Sequence, residues 1–380
     1  MENCTFFRAL MKPITKDLME ECKERFRSDY DCVSFDTFTH LQTMVFAHIA
    51  EIKSLRTLEV AINSQEMGLS YPVHRSTVSD ANQKRKADCF FWLLKQVMSL
   101  LPRKFHQDIG KVVKLLDSSP IQLKGRGFDE WAKEYATSRC QGLKLHVELD
   151  LMLNAPTRVT TSHSNYNDST MGKDWPIITE CVYVFDKGYC DYNWWWDINQ
   201  KSAYFVTRLK KNAAVTVHND HPTDNETILE DSLVQFKNKR PRGGKVNLYE
   251  TPLRRIIVKR EGKTPLILVS NLLEVPAAII SDLYKARWDV ELFFKWIKQN
   301  LKLKKFLGRS PNAVKIQIAT ALIAYVLTYL FKIDSKNKLS LRLITILIRF
   351  SVSKTLTDVL HHPPPTYHFS RPSLTYQGDG

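Results

Sequence analysis

Lys111–Asp117 reads KVVKLLD and Cys181–Asp186 reads CVYVFD. Each is a short run of β-branched and apolar residues closed by an aspartate. Runs of this length without polar alternation suit strands covered on both faces. Leu143–Leu153 (LKLHVELDLML) alternates apolar and polar residues and reads as a half-buried strand. Thr157–Thr161 and Ala203–Arg208 (AYFVTR) supply two more. Between them, Asp168–Thr179 holds a short helix. Asp191–Asn199, with three consecutive tryptophans, holds another. The chain is therefore α/β in class. Ligands of α/β sheets gather at the C-terminal ends of buried strands, which makes Asp117 and Asp186 candidate site residues. Taken singly, a strand-end acid more often caps the following turn.

The order three strands, helix, strand, helix, strand resembles an RNase H-like core. Residues 210–275 interrupt it with polar loops (His218–Thr227, Lys237–Lys245) and β-rich runs (Leu253–Arg260, Pro265–Ser270), read as an inserted β-rich subdomain. Three helical segments follow, Pro276–Leu303, Pro311–Phe331 and Leu339–Leu360. The Pro/Ser/Gly-rich tail from His361 is expected to be disordered. Residues 1–105 show helical periodicity in Phe38–Ile49, Leu55–Ile62 and Cys89–Leu101, with Ser54 and Asp80 as expected N-caps and Pro102 as a stop. The basic start Asn82–Lys86 of the last of these helices suits a DNA-binding module. The expected layout is a helical DNA-binding domain over 1–105, a catalytic core over 106–335 with its insertion at about 210–275, and a C-terminal helix and tail over 336–380.

The third candidate acid lies in YKARWDVELFFKWIKQNLKLKKF, residues 284–306. Tyr284, Arg287, Glu291 and Lys298 are spaced Y-x2-R-x3-E-x6-K. On one continuous α-helix they fall within a sector of roughly 60°. Leu283, Val290, Phe293, Phe294 and Ile297 take the neighbouring sector, as an amphipathic core helix requires. A phenol, a guanidinium, a carboxylate and an ammonium thus share one stripe beside a buried face. A solvated charged face is the plainer interpretation of such a stripe.

Composition favours a polyanionic partner. The 380 residues carry a formal net charge of +15 and a pI of about 9.4, which points to nucleic acid. The charge is concentrated: Ser281–Ser310 holds eight Lys/Arg against three acids, and Lys237, Lys239, Arg240, Arg242 and Lys245 form a second run. Seven cysteines without CxxC or Cys/His spacing argue against a zinc site. Their odd number, with no secretory signal at the N-terminus, fits a reducing cytoplasm. The apolar run Ile316–Phe331 is short for a membrane span and is expected to be a buried helix, so no membrane partner is expected.

Several carboxylates gathered in one buried site need a compensating cation. A pair of Mg²⁺ ions meets that need and suits phosphodiester chemistry. Here the sequence resembles the DDE transposases of bacterial insertion sequences, in the IS-four group. The resemblance is carried by LLDSS around Asp117, FDKGYCD around Asp186, the YREK spacing, and RWDVELFFKWIKQNLKLKKFLGRSPNAV. It covers about residues 72–350. It implies that Asp117, Asp186 and Glu291 form a catalytic, Mg²⁺-binding triad in which Mn²⁺ can substitute. Tyr284, Arg287 and Lys298 would contact DNA, joined by Lys187, Lys295, Lys302, Lys304 and Lys305. It further implies cut-and-paste transposition: cleavage at terminal inverted repeats, strand transfer into target DNA, and a homodimer in the synaptic complex. Two departures stand out. Lys187-Gly188 replaces the common Arg-Gly after the second aspartate. The insertion also has no tryptophan to stack on a flipped base, leaving Phe236, Tyr249, His218 and His221 as aromatic candidates. The alternatives are an RNase H-like nuclease without strand transfer and a catalytically inactive DNA-binding remnant or repressor.

Overall fold

The structure, a computed structural model, describes residues 5–64, 71–133, 136–137, 140–223, 225–237, 240, 245–300, 305–335, 340–351 and 354. Five strands form the expected core: β1 (Val112–Gln122), β2 (Gly142–Asp150), β3 (Ala155–His163), β4 (Cys181–Phe185) and β5 (Tyr204–Arg208). β2 runs antiparallel to β1 and β3, whereas β4 lies parallel to β1 and β5 parallel to β4. Period-two alternation sorts β1 cleanly. Val113 and Leu115 face one apolar layer, and Val112 and Leu116 the other. β4 sorts the same way, Val182 and Val184 against Tyr183 and Phe185. Because Leu116 pairs with Phe185, the next residues, Asp117 and Asp186, fall side by side and in phase with the first layer.

β1 does not stop at Asp117, as the sequence pattern led us to expect. It continues through Pro120 to Gln122, paired with β2 alone. Beyond Phe185 the strand has lost β4 as a neighbour, and a proline is tolerated where one side of the ladder is open. Asp117 still marks the end of the parallel ladder.

The insertion forms an antiparallel meander of β6 (Val215–Asp220), β7 (Ile228–Phe236), β8 (Leu253–Val258) and β9 (Leu266–Ser270). β9 pairs with β5, so all nine strands make one sheet in the order β3-β2-β1-β4-β5-β9-β8-β7-β6. The insertion is thus an extension of the core sheet and not a separate subdomain. Part of β6 lies in the stretch expected to be loop. It is an edge strand whose residues are mostly exposed, so its polar composition carries no alternation. Arg254 on β8 ties the meander down. Its guanidinium donates to both oxygens of Asp231, at 2.7 and 2.5 Å, and to the carbonyl of Leu273 at 2.8 Å. Both side chains are more than nine-tenths buried. Removing one member of such a pair costs about 3–5 kcal/mol, because the other charge is left buried and unpaired. We expect Arg254→Ala to lower the denaturant midpoint accordingly and Arg254→Met with Asp231→Leu to recover most of the loss. Equal midpoints for Arg254→Ala and the native protein would show that the pair holds nothing together.

Helices cover both faces. α1 (Phe6–Leu10), α2 (Lys16–Phe26), α3 (Thr37–Ile49), α4 (Leu55–Asn63), α5 (Arg75–Lys84) and α6 (Ala87–Ser99) precede the sheet. α7 (Asp129–Ala132) follows β1. α8 (Asp168–Asp174) and α9 (Tyr192–Gln200) flank β4, and α10 (Ala277–Ala286), α11 (Trp288–Asn300), α12 (Pro311–Asp334) and α13 (Leu341–Phe350) follow β9. Ser54 caps α4 as expected, accepting from the Thr57 N–H. Asp80 is no cap: it lies within α5, whose N-cap is His74. α12 is long and apolar enough to cross a membrane, but 83% of its apolar window is buried inside the protein, so it is the central core helix. α1–α6 share one continuous apolar core with α12 and the first face of the sheet. His48 on α3 pairs with Thr320 at 3.0 Å, and Asn312 donates to the Asn82 carbonyl at 2.9 Å. The region 1–105 is therefore packed onto the core rather than set apart from it. The tail from His361 lies outside the described residues, as do Lys239, Arg242, Lys302 and Lys304.

Candidate active site

The expected continuous helix over 276–303 is broken. α10 ends at Ala286 and α11 begins at Trp288. At the junction the Arg287 N–H bonds Tyr284 O and the Val290 N–H bonds Arg287 O, both three residues back, so the turn is tightened. Periodicity alone does not reveal this, because apolar spacing continues across the junction. The break leaves Tyr284 in the last turn of α10 and puts Arg287 at the corner, facing the sheet.

From that corner Arg287 reaches two strand-helix acids. Nη2 lies 2.7 Å from Glu291 Oε1, and Nη1 lies 3.5 Å from Asp117 Oδ2. Tyr284 donates its hydroxyl to Asp186 Oδ1 at 3.2 Å. Lys298 donates to Ser119 Oγ at 2.6 Å, two residues beyond Asp117 on β1. Tyr284, Arg287 and Lys298 thus touch residues of β1 and the end of β4, and Glu291 joins them through Arg287. An open cleft of about 470 Å³ runs along α11 between Asp117, Ser119, Glu291, Lys295 and Lys298.

The electrostatics follow from burial. Asp117 is pushed up to about 6, first by desolvation and further by the nearby Glu291 and Asp168. The Ser118 N–H, at 2.8 Å from Oδ1, and Arg287 oppose the rise. Burial also pushes the Tyr284 phenol up to about 12, with Asp186 adding to it, so it stays a donor. Burial works against the Arg287 charge, but Glu291, Tyr284 and Asp117 outweigh it and hold the guanidinium above its usual range. Its buried Nε has no hydrogen-bond partner.

Two neighbours escaped the sequence reading. Arg208, closing β5, lies 3.7 Å from Asp186 Oδ1; the strand-end logic that selected Asp186 applies equally to it. Asp168 accepts from Ser118 Oγ at 2.8 Å and from Lys144 at 3.2 Å behind Asp117, a juxtaposition with no local sequence signal. Other candidates are placed elsewhere. Lys187, Lys295 and Lys305 are exposed around the site. His146 is fully buried and bonded to Ser162 Oγ at 2.7 Å, a core histidine. Trp194 and Trp195 fill the second apolar layer, where Tyr249 is buried and Phe236 packs beside it, so neither of these rings is presented for base stacking. Trp296 packs on Tyr325, whereas Trp288 is exposed.

Among the described residues no three His, Cys, Asp or Glu side chains are gathered closely enough to hold a metal ion as they stand. Arg287 is instead the cation between Asp117 and Glu291. The donor set nevertheless fits a hard divalent cation. It consists of carboxylate oxygens, the ligand type that a hard divalent cation takes.

Comparison with known proteins bears on the family and the fold. Residues 108–327 match the transposase DDE domain, and residues 2–70 match a domain of unknown function. The chain is 34% identical over 294 residues to the transposase y4zB of Sinorhizobium fredii, covering 76% of this chain and 80% of that one. It is 28% identical over 262 residues to a transposase for insertion sequence element IS5377 of Geobacillus stearothermophilus, covering 67% and 66% of the two chains. The fold resembles that of the piggyBac transposase in its synaptic complex with hairpin DNA, with a TM-score of 0.50 over 95% of this chain and 82% of that one, at 11% identity. The sheet and its flanking helices define an RNase H-like α/β protein. The chain belongs to the DDE transposase family, and its function is that of a transposase.

Proposed function

We propose that this chain is an insertion-sequence transposase of the IS-four group, cutting DNA at its terminal inverted repeats and joining the freed 3′ ends to target DNA. The observation that carries this reading is the single guanidinium of Arg287 held between Asp117 on β1 and Glu291 on α11. The Glu291 contact is a local (i,i+4) pair, but the contact to Asp117 ties the same guanidinium to a strand 170 residues away in sequence, which helix stability alone does not require. In our reading Asp117, Asp186 and Glu291 hold two Mg²⁺ ions, with Mn²⁺ able to replace them. Metal bound there supplies activation of the attacking oxygen and stabilisation of the leaving one.

The protein's own groups position and exclude. Tyr284 keeps Asp186 oriented through its hydroxyl. The Ser118 N–H fixes one oxygen of Asp117. Arg287 would keep Asp117 and Glu291 paired beside the phosphates, and Lys298 would contact the phosphates next to the scissile bond, aided by Lys187, Lys295, Lys302, Lys304 and Lys305. Residues 1–105 bind the transposon end. The active assembly is a homodimer on paired ends, as the DNA-bound synaptic state of the piggyBac protein suggests by analogy of fold.

The test uses the purified chain and duplexes bearing the element's terminal repeat. With Mg²⁺ we expect cleavage at the repeat boundary and transfer of the 3′ end into a second duplex. Chelation should remove both while binding persists, because affinity rests on Lys/Arg contacts to phosphate. Cleavage that survives chelation would overturn the reading, and cleavage without any joining would favour the nuclease alternative.

A further inference from the structure

We infer that the loop Lys124–Gly127 and the segment Lys305–Arg309 before α12 form a backbone clamp on the same DNA duplex whose scissile phosphate enters the cleft. The inference rests on the proposed placement of that phosphate beside Asp117 and Glu291. Beyond Asp117, β1 continues to Gln122 and then turns into Lys124-Gly125-Arg126-Gly127. Both glycines have positive φ, +97° and +85°, a conformation that side-chain-bearing residues rarely adopt.

This loop is locked to the segment that follows α11. Arg309 donates to the Arg126 carbonyl at 3.0 Å, and the Trp131 indole donates to the Arg309 carbonyl at 3.0 Å. Phe128 and Phe306 meet edge to face at 6.2 Å. A Cβ on Gly127 would lie 2.8 Å from Arg309 Cδ, so the arginine stem rests on the glycine. One loop follows the strand of the first acid, and the other follows the helix of the third. Their union makes a rigid extension of the cleft.

The lock uses backbone carbonyls, rings, an indole and the Arg309 guanidinium, and it leaves the charges of Lys124 and Arg126 outward. Lys124, Arg126, Lys305 and Arg309 are exposed, and none makes an ion pair among the described residues. The nearby Asp129 is engaged by the Gly125 N–H and by Gln141, and Glu130 is the remaining exposed acid. Lys124 and Arg126, held on the pinned loop, fit a polyanion that continues out of the cleft. Geometry sets the distance. Five residues of strand from Asp117 to Gln122 span about 17 Å, and the loop adds a little more. At about 3.4 Å of axis per base pair, the clamp meets phosphates about five or six base pairs from the scissile one.

The experiment measures binding of end-bearing duplexes extended stepwise from the scissile phosphate, on the transposon side in one series and on the flanking side in the other. For the native protein, affinity should step up in one series when the extension reaches about six base pairs. The slope of log K against log salt should steepen by about two units there. In the Lys124→Ala/Arg126→Ala double variant the step and the added slope should vanish. Both side chains are exposed and unpaired, so the fold should survive, which equal thermal midpoints would confirm. A step of equal size in the variant would overturn the clamp. So would a step that appears only with a separate duplex lacking the terminal repeat, since that assigns the ridge to target DNA. The result is separable from the reading of the site: Glu291→Gln tests cleavage, and the step concerns binding alone.

Discussion

Asp117→Asn, Asp186→Asn and Glu291→Gln should each lower cleavage of end-bearing DNA by about 10²–10³-fold or more while leaving its binding within about twofold. The three side chains share little beyond their charge and place. Asp117 and Asp186 end two neighbouring parallel strands, and Glu291 reaches the same guanidinium as Asp117. Each substitution keeps shape and some hydrogen bonding but removes the negative charge that a divalent cation requires. DNA affinity rests on cations elsewhere, and loss of a carboxylate near phosphate removes repulsion. At Asp117 the exchange also removes a charge that burial disfavours, so the variant should be at least as stable as the native protein. Single-turnover cleavage, binding titrations and a denaturant midpoint on the same preparations decide the matter. Undiminished cleavage by Glu291→Gln would remove that residue from the chemistry, and a collapse of stability at Asp117→Asn would mean that the residue serves the fold.

Much of this architecture was readable in the sequence because buried parallel strands advertise themselves. KVVKLLD and CVYVFD have no polar alternation, and their closing aspartates fall where the parallel ladder ends. The alternating LKLHVELDLML does form a strand with its apolar positions in the first apolar layer, but it is not half-buried as its pattern suggests: His146, Glu148 and Asp150 on its other side are buried as well. What was hidden depended on partners distant in sequence. Pro120 reads as a breaker, yet β1 passes through it because β4 has already stopped. β6 reads as loop because an exposed edge strand needs no apolar face. The corner at Arg287 is hidden because Leu283, Val290 and Phe294 keep helical spacing across it, although the tightened turn is what directs the guanidinium to Asp117. Asp168 was missed for a related reason, since a short helix and no local pattern brings it to the site, whereas Arg208 ends its strand as Asp186 does and was within reach of the same logic.

Arg287 and Lys298 separate two roles that the spacing Y-x2-R-x3-E-x6-K cannot. Arg287→Ala should reduce cleavage by about 10²–10³-fold, beyond any loss of binding. The residue is mostly buried, bridges Asp117 and Glu291, and orients them as a pair. Arg287→Lys should recover little, because a single ammonium lacks the planar fork that reaches two carboxylates at once. Lys298 donates to the Ser119 hydroxyl and lines the cleft beside Asp117 and Glu291. That place suits a contact to phosphate, and Lys298→Ala should lower the salt slope of log K by about one unit, with cleavage falling in step with binding. Lys285 supplies the control: it is exposed and paired with Asp282 at 2.9 Å on the outer surface of α10. A surface pair of that kind contributes little, so Lys285→Ala should leave both measurements unchanged. The ordering matters more than the sizes. If Arg287→Ala behaved like Lys285→Ala, the bridge would be incidental, and the proposed site would rest on family membership without the geometry that singles it out.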